Sequence, residues 1–454
     1  MDRGARGSLL RVLGVGFGLA VIIGNTIGAG ILHTPGDVAK QLPNQWLFLG
    51  VWVVGATYAL LGANAVAELG TTLPCSGGQY VFARRALGDY AGFVVGWSDW
   101  LSTCGTTAAV SVVIGDYGGA LFSALAGKTI PVAVSVTVIF ALIQWRGIRW
   151  GGAVQNVTST LKCLAFIALV AACFIFGGDA RTHVAAATTV KTATMPHGVS
   201  FIFALVIALQ AVIYTYDGWA GVVYFSEEVE DPARDIPRSL FGGVLLVMAI
   251  YLLVNLALVY VLPLASIAGS DLAVGAAAQT IFGTNGERLI RALTIVAMLS
   301  GLNAYHLMAT RVLFAMSRDK LFSERAVRVN RGGTPTVALF ISCAAAILFI
   351  VLGGAFARII AALAFFFVAN YTMTFAALFV LRRREPETPR PFRAWGYPWT
   401  TLLALVGSVV FLVGAVAADL ASDSRDSLYA VGLLMASYPA YKLIRLVERP
   451  GYSP

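Results

Sequence analysis

Two clusters of small or acidic residues interrupt long apolar runs, and each could present backbone polar groups to a ligand. Gly28-Ala29-Gly30 breaks the run from Val12 to Leu32, and Asp217-Gly218 breaks the run from Phe201 to Phe225. Clustered glycines lower the cost of non-helical dihedrals and bare the amides that follow. A helix broken at such a point has unpaired amides at one half-helix end and unpaired carbonyls at the other. At membrane depth this is tolerated only where the backbone faces protein, water or ligand. The chemistry on offer is therefore recognition of a polar ligand by helix ends. The breaks lie five apolar segments apart, so the two runs cross a bilayer in opposite directions. Interrupted spans at matching places in two halves are the best sequence pointer to a substrate site in a membrane transporter.

The elements that must position these breaks follow from composition. With 58% hydrophobic and 12% charged residues among 454, and a mean hydropathy of +0.79, a soluble chain would have too few polar residues to cover its surface. An integral membrane protein is expected. Apolar runs able to cross a core of about 30 Å, about 20 helical residues each, begin near Val12, Trp46, Tyr90, Ile130, Val157, His197, Leu240, Arg288, Thr336, Phe356, Pro398 and Leu428. That predicts an all-α protein of twelve transmembrane helices in one domain, 1–454. The first apolar run continues for a full span without a clear small-residue cleavage site, so it reads as a helix that stays rather than a secretory signal.

Basic residues set the expected orientation, because short cytoplasmic loops retain Lys and Arg. Arg3, Arg6, Arg11, Arg84, Arg85, Arg146, Arg149, Arg234, Arg238 and the clusters at 318–331, 382–393 and 442–449 fall on one side; Lys40, Lys128, Arg181, Lys191, Arg288, Arg291, Arg358 and Arg425 fall on the other. Both termini are expected in the cytoplasm, with the chain multi-pass in the cytoplasmic membrane. The net charge of +9 is spread over short loops that would face anionic headgroups, so the lipid bilayer and no nucleic acid is the expected partner. Cys75, Cys104, Cys163, Cys173 and Cys343 show no metal or redox spacing. No metal or cofactor is expected.

Other residues carry competing readings. Gly14, Gly18 and Gly24 recur about every four residues, the pattern of close helix packing. A dinucleotide-binding reading of the glycines fails for want of a preceding strand and a later acidic residue. Asp217 at membrane depth is functional by default: it could hold an amine, or it could satisfy amides freed by the break. Glu227, Glu228, Glu230 and Asp231 follow the sixth span, where Asp231-Pro232 reads as a turn. His306 reads as a hydrogen-bonded packing residue and Arg311 as a snorkelling one. Among enzymes, His33, His183, His197 and His306 lie in no metalloprotease motif, and Tyr216-Asp217 lacks the later Gly-x-Gly-Asp of an intramembrane aspartyl protease. A channel would need a continuous polar lining or a carbonyl filter, and none is visible. The chain is not read as an enzyme.

The residues also resemble a family. Ile22-Ile23-Gly24-Asn25-Thr26-Ile27-Gly28-Ala29-Gly30-Ile31 looks like the first helix of the amino acid, polyamine and organocation transporters. Tyr214-Thr215-Tyr216-Asp217-Gly218-Trp219, with Glu227-Glu228-Val229 and Asp231-Pro232-Ala233-Arg234-Asp235-Ile236-Pro237-Arg238, is similar to the sixth helix and exit loop of the L-type amino acid transporter branch. Ala67-Glu68-Leu69-Gly70, Ser76-Gly77-Gly78, Arg311, Phe314 to Asp319, Pro389-Arg390-Pro391-Phe392 and Tyr397-Pro398 extend the likeness over nearly the whole chain.

That resemblance implies a LeuT-like fold: inverted repeats at 12–178 and 198–384, broken helices one and six, and two added helices at 398–447. It implies secondary active transport of amino acids, neutral L-amino acids first, with no need of sodium and room for proton coupling; polyamines or cationic amino acids held by Asp217 are the alternative. The site would comprise Ile27, Gly28, Ala29, Gly30 and Ile31 with Tyr214, Thr215, Tyr216, Asp217, Gly218 and Trp219. Amides after Gly30 would take a carboxylate, and carbonyls near Ile27 and Tyr216 an ammonium. Tyr214 takes the place of an aromatic gate and Trp219 that of a pocket wall. Bacterial members with the same Tyr-Asp-Gly-Trp run, some of them taking neutral amino acids, favour the structural reading of Asp217. Lys162 matches a lysine that sits against the first break in place of a coupling cation. Animal members are tied to a glycoprotein through a cysteine after helix three; the loop from Asp116 to Ile130 has none, so no disulfide-linked heavy chain is expected.

Overall fold

The computed structural model describes residues 9–187, 195–352, 356–421 and 426–447. Arg3, Arg6, Lys191, Arg425 and Arg449, which entered the orientation argument, lie outside the described residues. The first run forms α1 (Val15–Thr26) and α2 (Gly30–Gln41), bent by 51°. There follow α3 (Gln45–Thr72), α4 (Gln79–Leu87), α5 (Asp89–Leu121), α6 (Thr129–Trp145), α7 (Ile148–Ala187) and α8 (Val199–Thr215). The second half continues with α9 (Pro232–Val261), α10 (Leu264–Ile267), α11 (Ala273–Phe282), α12 (Thr284–Arg318), α13 (Thr336–Leu352), α14 (Phe356–Arg384), α15 (Trp399–Ala421) and α16 (Asp426–Val447). Between α8 and α9 lies a 3₁₀ turn, Gly221–Phe225.

By length and composition, six helices among the described residues can cross a membrane, and α1 with α2 makes a seventh, bent span. The shortfall from twelve has a local cause at several helices. α6, α8 and α13 are each 17 residues long, and α5 carries Asp89, Asp99 and Asp116 along its length. Two boundaries also move. α7 begins at Ile148 rather than near Val157, because Gln155 and Ser159 in its first turns are buried against α1 and α12 instead of marking a loop. α9 begins at Pro232 rather than near Leu240: the Asp231 side chain accepts from the Arg234 amide and Pro232 occupies the first turn, so the expected turn is a helix cap.

The first broken element lies inside the bundle. α1 packs on α7, α9 and α12, and α12 on α5. A Cβ at Gly18 would come 2.6 Å from that of Ser239, and one at Gly24 2.8 Å from Ser300 Oγ; these two glycines permit close packing, whereas at Gly14 nothing lies within 4 Å. One end of the bundle is sealed by backbone pairing. Val12 and Leu13 amides donate to Glu228 O at 3.0 Å, and the Glu230 amide donates to Leu13 O at 2.9 Å. Beneath this seam Arg311 does not snorkel. It is fully buried and donates through Nε and Nη2 to the Glu228 carboxylate, both at 2.9 Å; an acid reachable only through the fold keeps the charge inside.

Candidate functional site

The two breaks meet. Helix α1 ends with four carbonyls that lack an intrahelical partner, as every helix does, and side chains from three other helices cap all of them. Lys162 Nζ, from α7, donates to Gly24 O at 2.9 Å and to Ile27 O at 2.6 Å. Tyr305 Oη donates to Asn25 O at 3.2 Å, and Tyr251 Oη to Thr26 O at 2.8 Å. Tyr251 also lies 2.9 Å from Thr215 O, the last residue of α8, so one hydroxyl shares its proton between the two broken helices. Thr34 Oγ1 and Thr215 Oγ1, 2.7 Å apart, make a second tie.

Two of the junction glycines, Gly218 and Gly30, are steric requirements. Gly218 has φ +106°, and a Cβ there would come 2.9 Å from the Asn25 carbonyl carbon. A Cβ at Gly30 would meet Thr215 Cγ2 at 3.1 Å, while at Gly28 only Met298 Cε lies near, at 3.6 Å. Gly28 therefore faces open space. Among the described residues, the amides of Gly28, Ala29, Gly30 and Ile31 make no hydrogen bond to a protein acceptor. They form the N-terminal, electropositive end of α2.

That space is a cavity of about 210 Å³ between the breaks, α5, α12 and Phe367 of α14. Its walls include Gly28, Ala29, Gly30, Tyr214 and Asp217. The volume falls below the roughly 300–1,000 Å³ of pockets for drug-sized ligands and suits a small metabolite. Asp217 lines the same cavity as Gly28 to Gly30, its Oδ1 accepting from Tyr371 Oη at 2.8 Å. Among the described residues it has no ion-pair partner. Tyr214, on the C-terminal turn of α8, is 43% exposed and lines the cavity.

The other expected residues are not all at the cavity. Ile27 and Thr215 contribute wall, but Ile31 is buried and not among the lining residues. Tyr216 is turned away into a ring cluster with Trp52 and Tyr251, its ring 5.0 Å from that of Tyr251. Trp219 stacks on Tyr371 at 4.9 Å in a small side chamber that also contains Tyr58 and is divided from the cavity by Tyr214, Asp217 and Phe367. Lys162 lies behind α1, outside the lining. His306 is buried, but its Nε2 has no partner among the described residues, unlike the hydrogen-bonded histidine expected.

Sequence reasoning missed Tyr251, Tyr305 and Tyr371, since a tyrosine in an apolar helix reads as ordinary packing. It also missed Asp99, buried in α5 with both carboxyl oxygens against Tyr224 Oη. Asp99 was legible: an acid within an apolar run is a functional signal.

An apolar helical bundle whose two broken helices are tied together beside a small cavity has the build of a membrane carrier for small solutes. Residues 17–437 match the sequence model of the family described as Amino acid permease, and the chain belongs to that family. It is similar to the serine/threonine exchanger SteT of Bacillus subtilis, at 28% identity over 95% of this chain and 96% of the relative. It is 28% identical to the Asc-type amino acid transporter 1 of Mus musculus, over 86% of this chain and 73% of the relative. With the large neutral amino acids transporter small subunit 2 of Rattus norvegicus the identity is 27%, over 85% and 73%. The protein is an amino acid transporter of the membrane, not an enzyme.

Proposed function

We propose that the protein carries neutral L-amino acids by alternating access and without sodium, binding the zwitterion between the two helix breaks. One observation carries this reading: Gly28, Ala29 and Gly30, whose amides have no protein acceptor among the described residues, and Asp217, a carboxyl group with no ion-pair partner among them, line one cavity of about 210 Å³. The amides suit an α-carboxylate, and Asp217 an α-ammonium. A polyamine would leave the amides unmatched, and a cationic amino acid would need a second acid in the lining. The names of the relatives, which include serine/threonine, Asc-type and large neutral amino acid transporters, support the same class.

Lys162 takes the place of a coupling cation, its ammonium holding the end of α1 through Gly24 and Ile27. Tyr214 closes over bound substrate and Trp219 backs the pocket through Tyr371. The architecture is one domain of twelve spans with inverted repeats at 12–178 and 198–384 and two further helices at 398–447, both termini in the cytoplasm, and no disulfide-linked heavy chain. In that topology the cavity walls on α5 and α12 face outward, while the seam at Leu13 and Glu228 closes the cytoplasmic end. The state is outward-facing.

Uptake of labelled serine, alanine and leucine into liposomes holding the purified protein, with arginine and putrescine as competitors and with sodium present or replaced, tests this. Competition by the neutral amino acids alone, unchanged by sodium replacement, is expected. Stronger competition by putrescine or arginine would make Asp217 a ligand for cationic substrates, the second reading, which its unpaired carboxylate favours.

A further inference from the structure

Asp99 lies about a third of the way along α5, 1% exposed, on no wall of the cavity. Its Oδ1 and Oδ2 stand 3.0 and 2.9 Å from a single atom, Tyr224 Oη, on the 3₁₀ turn that follows the second break. An ionised carboxylate would leave one hydroxyl proton to serve two short oxygen contacts. A protonated carboxyl supplies the missing proton: its own O–H donates to Tyr224 Oη while the tyrosine O–H donates to the other oxygen, a reciprocal pair in which both contacts are hydrogen bonds.

Charge points the same way. Among the described residues, the cations on the helices packed against α5 are committed elsewhere or lie at exposed ends. On α12, Arg311 holds Glu228 and Arg318 holds Glu227; on α4, Arg84 holds Asp89 and Asp319 while Arg85 holds Glu385. On α14, Arg382 holds Glu68, Arg384 donates to Ala86 O and Arg383 is exposed; on α16, Lys442 lies over the Tyr438 ring. Tyr80 donates to Asp319 and Tyr305 to Asn25 O, and His306 has an unpartnered Nε2. The titratable groups within electrostatic reach of Asp99 are Tyr224, Asp217 and Tyr371, and these supply no positive charge. An amino acid bound as proposed neutralises Asp217, but among the described residues no cation pairs with Asp99. An unpaired charge at membrane depth is expensive.

We propose that Asp99 is a proton-binding site whose occupancy latches the segment after the second break to α5, so that a proton travels with each amino acid. This rests on the reading of the cavity as an amino acid site. Protonation gives a neutral carboxyl bound to Tyr224. When that segment moves and the pair parts, the carboxyl O–H breaks, the proton passes to water on the opposite side and the carboxylate remains, to be reprotonated on return.

Proteoliposomes loaded one pH unit more alkaline than the bath, with L-serine as probe, test it. If one proton moves per substrate, a one-unit difference drives about tenfold accumulation, and an internal pH dye reports acidification that depends on serine. Asp99→Asn keeps the shape without the titrating proton. It is expected to bind serine by thermal shift yet accumulate it to no more than the bath concentration, and to lack the infrared carbonyl band of a buried protonated carboxyl present in the parent. Parent-like accumulation by Asp99→Asn, an unchanged carbonyl band, or serine binding by a parent that shows no gradient-driven uptake would each overturn the proton site. If neither serine nor any amino acid of the uptake panel shifts the melting temperature of the parent, the cavity reading falls, and the proton site with it.

Discussion

The Nζ of Lys162 lies 2.6 Å from the carbonyl oxygen of Ile27, the residue that ends the first half-helix. A second hydrogen bond to Gly24 O at 2.9 Å makes the lysine a clamp over the last turn of α1. Hydrogen bonds from a charged donor contribute roughly 1.5–3 kcal/mol each. Lys162→Ala is therefore expected to lower serine uptake by more than about tenfold, or 1.4 kcal/mol, while replacing sodium leaves the parent unaffected. Strict sodium dependence of the parent, or normal uptake by the variant, would remove the lysine from this role.

The broken spans were legible because a run of small residues in an apolar segment has few physical explanations. The depth of Lys162 in its apolar run placed it near the break only with the help of family likeness; its side chain could as well have reached the headgroups. What was not legible was the capping of α1. Tyr251 and Tyr305 sit on helices distant in sequence, and nothing in their local pattern separates a cap donor from a packing ring. The same limit explains Arg311. Its charge near a helix end reads as snorkelling until the fold brings Glu228 to it. Helix starts at Ile148 and Pro232 were misplaced because hydropathy ends a span where polar residues begin, whether water or protein satisfies them.

Gly28 and Gly30 are separated by their surroundings. A side chain at Gly28 would enter the cavity with only Met298 Cε nearby, at 3.6 Å, whereas one at Gly30 meets Thr215 at 3.1 Å. Gly28→Leu should fold with a melting temperature close to the parent's and lose serine affinity by at least about tenfold. Gly30→Leu should lower the melting temperature as well. Unchanged affinity in folded Gly28→Leu would take the first break out of the site.

Tyr214 lines both the cavity and the side chamber and keeps 43% of its surface exposed. If its ring closes the path over bound substrate, the hydroxyl is dispensable and the ring is not. Tyr214→Phe should retain most of the uptake, and Tyr214→Ala should lose it while still binding substrate, because water then enters the closed state. Equal uptake by Tyr214→Ala and the parent would refute the gate.

The Glu228–Arg311 pair carries the closed end of the bundle. Both side chains are fully buried, and the Glu228 carbonyl also accepts the amides of Val12 and Leu13. Removing one partner of a buried pair strands the other charge and costs about 3–5 kcal/mol, whereas replacing both by neutral groups of similar volume costs far less. Glu228→Gln should therefore lower the melting temperature sharply, leaving Arg311 with an unmatched guanidinium. Adding Arg311→Met should restore much of the loss, since the methionine fills the space over Phe225 that the guanidinium now occupies, 5.4 Å from the ring centroid. The double variant should also open the sealed end more readily, read as faster labelling of a cysteine placed at Leu13. If the two substitutions destabilise additively, the pair is not a coupled unit, and the seam must be held by its backbone hydrogen bonds alone.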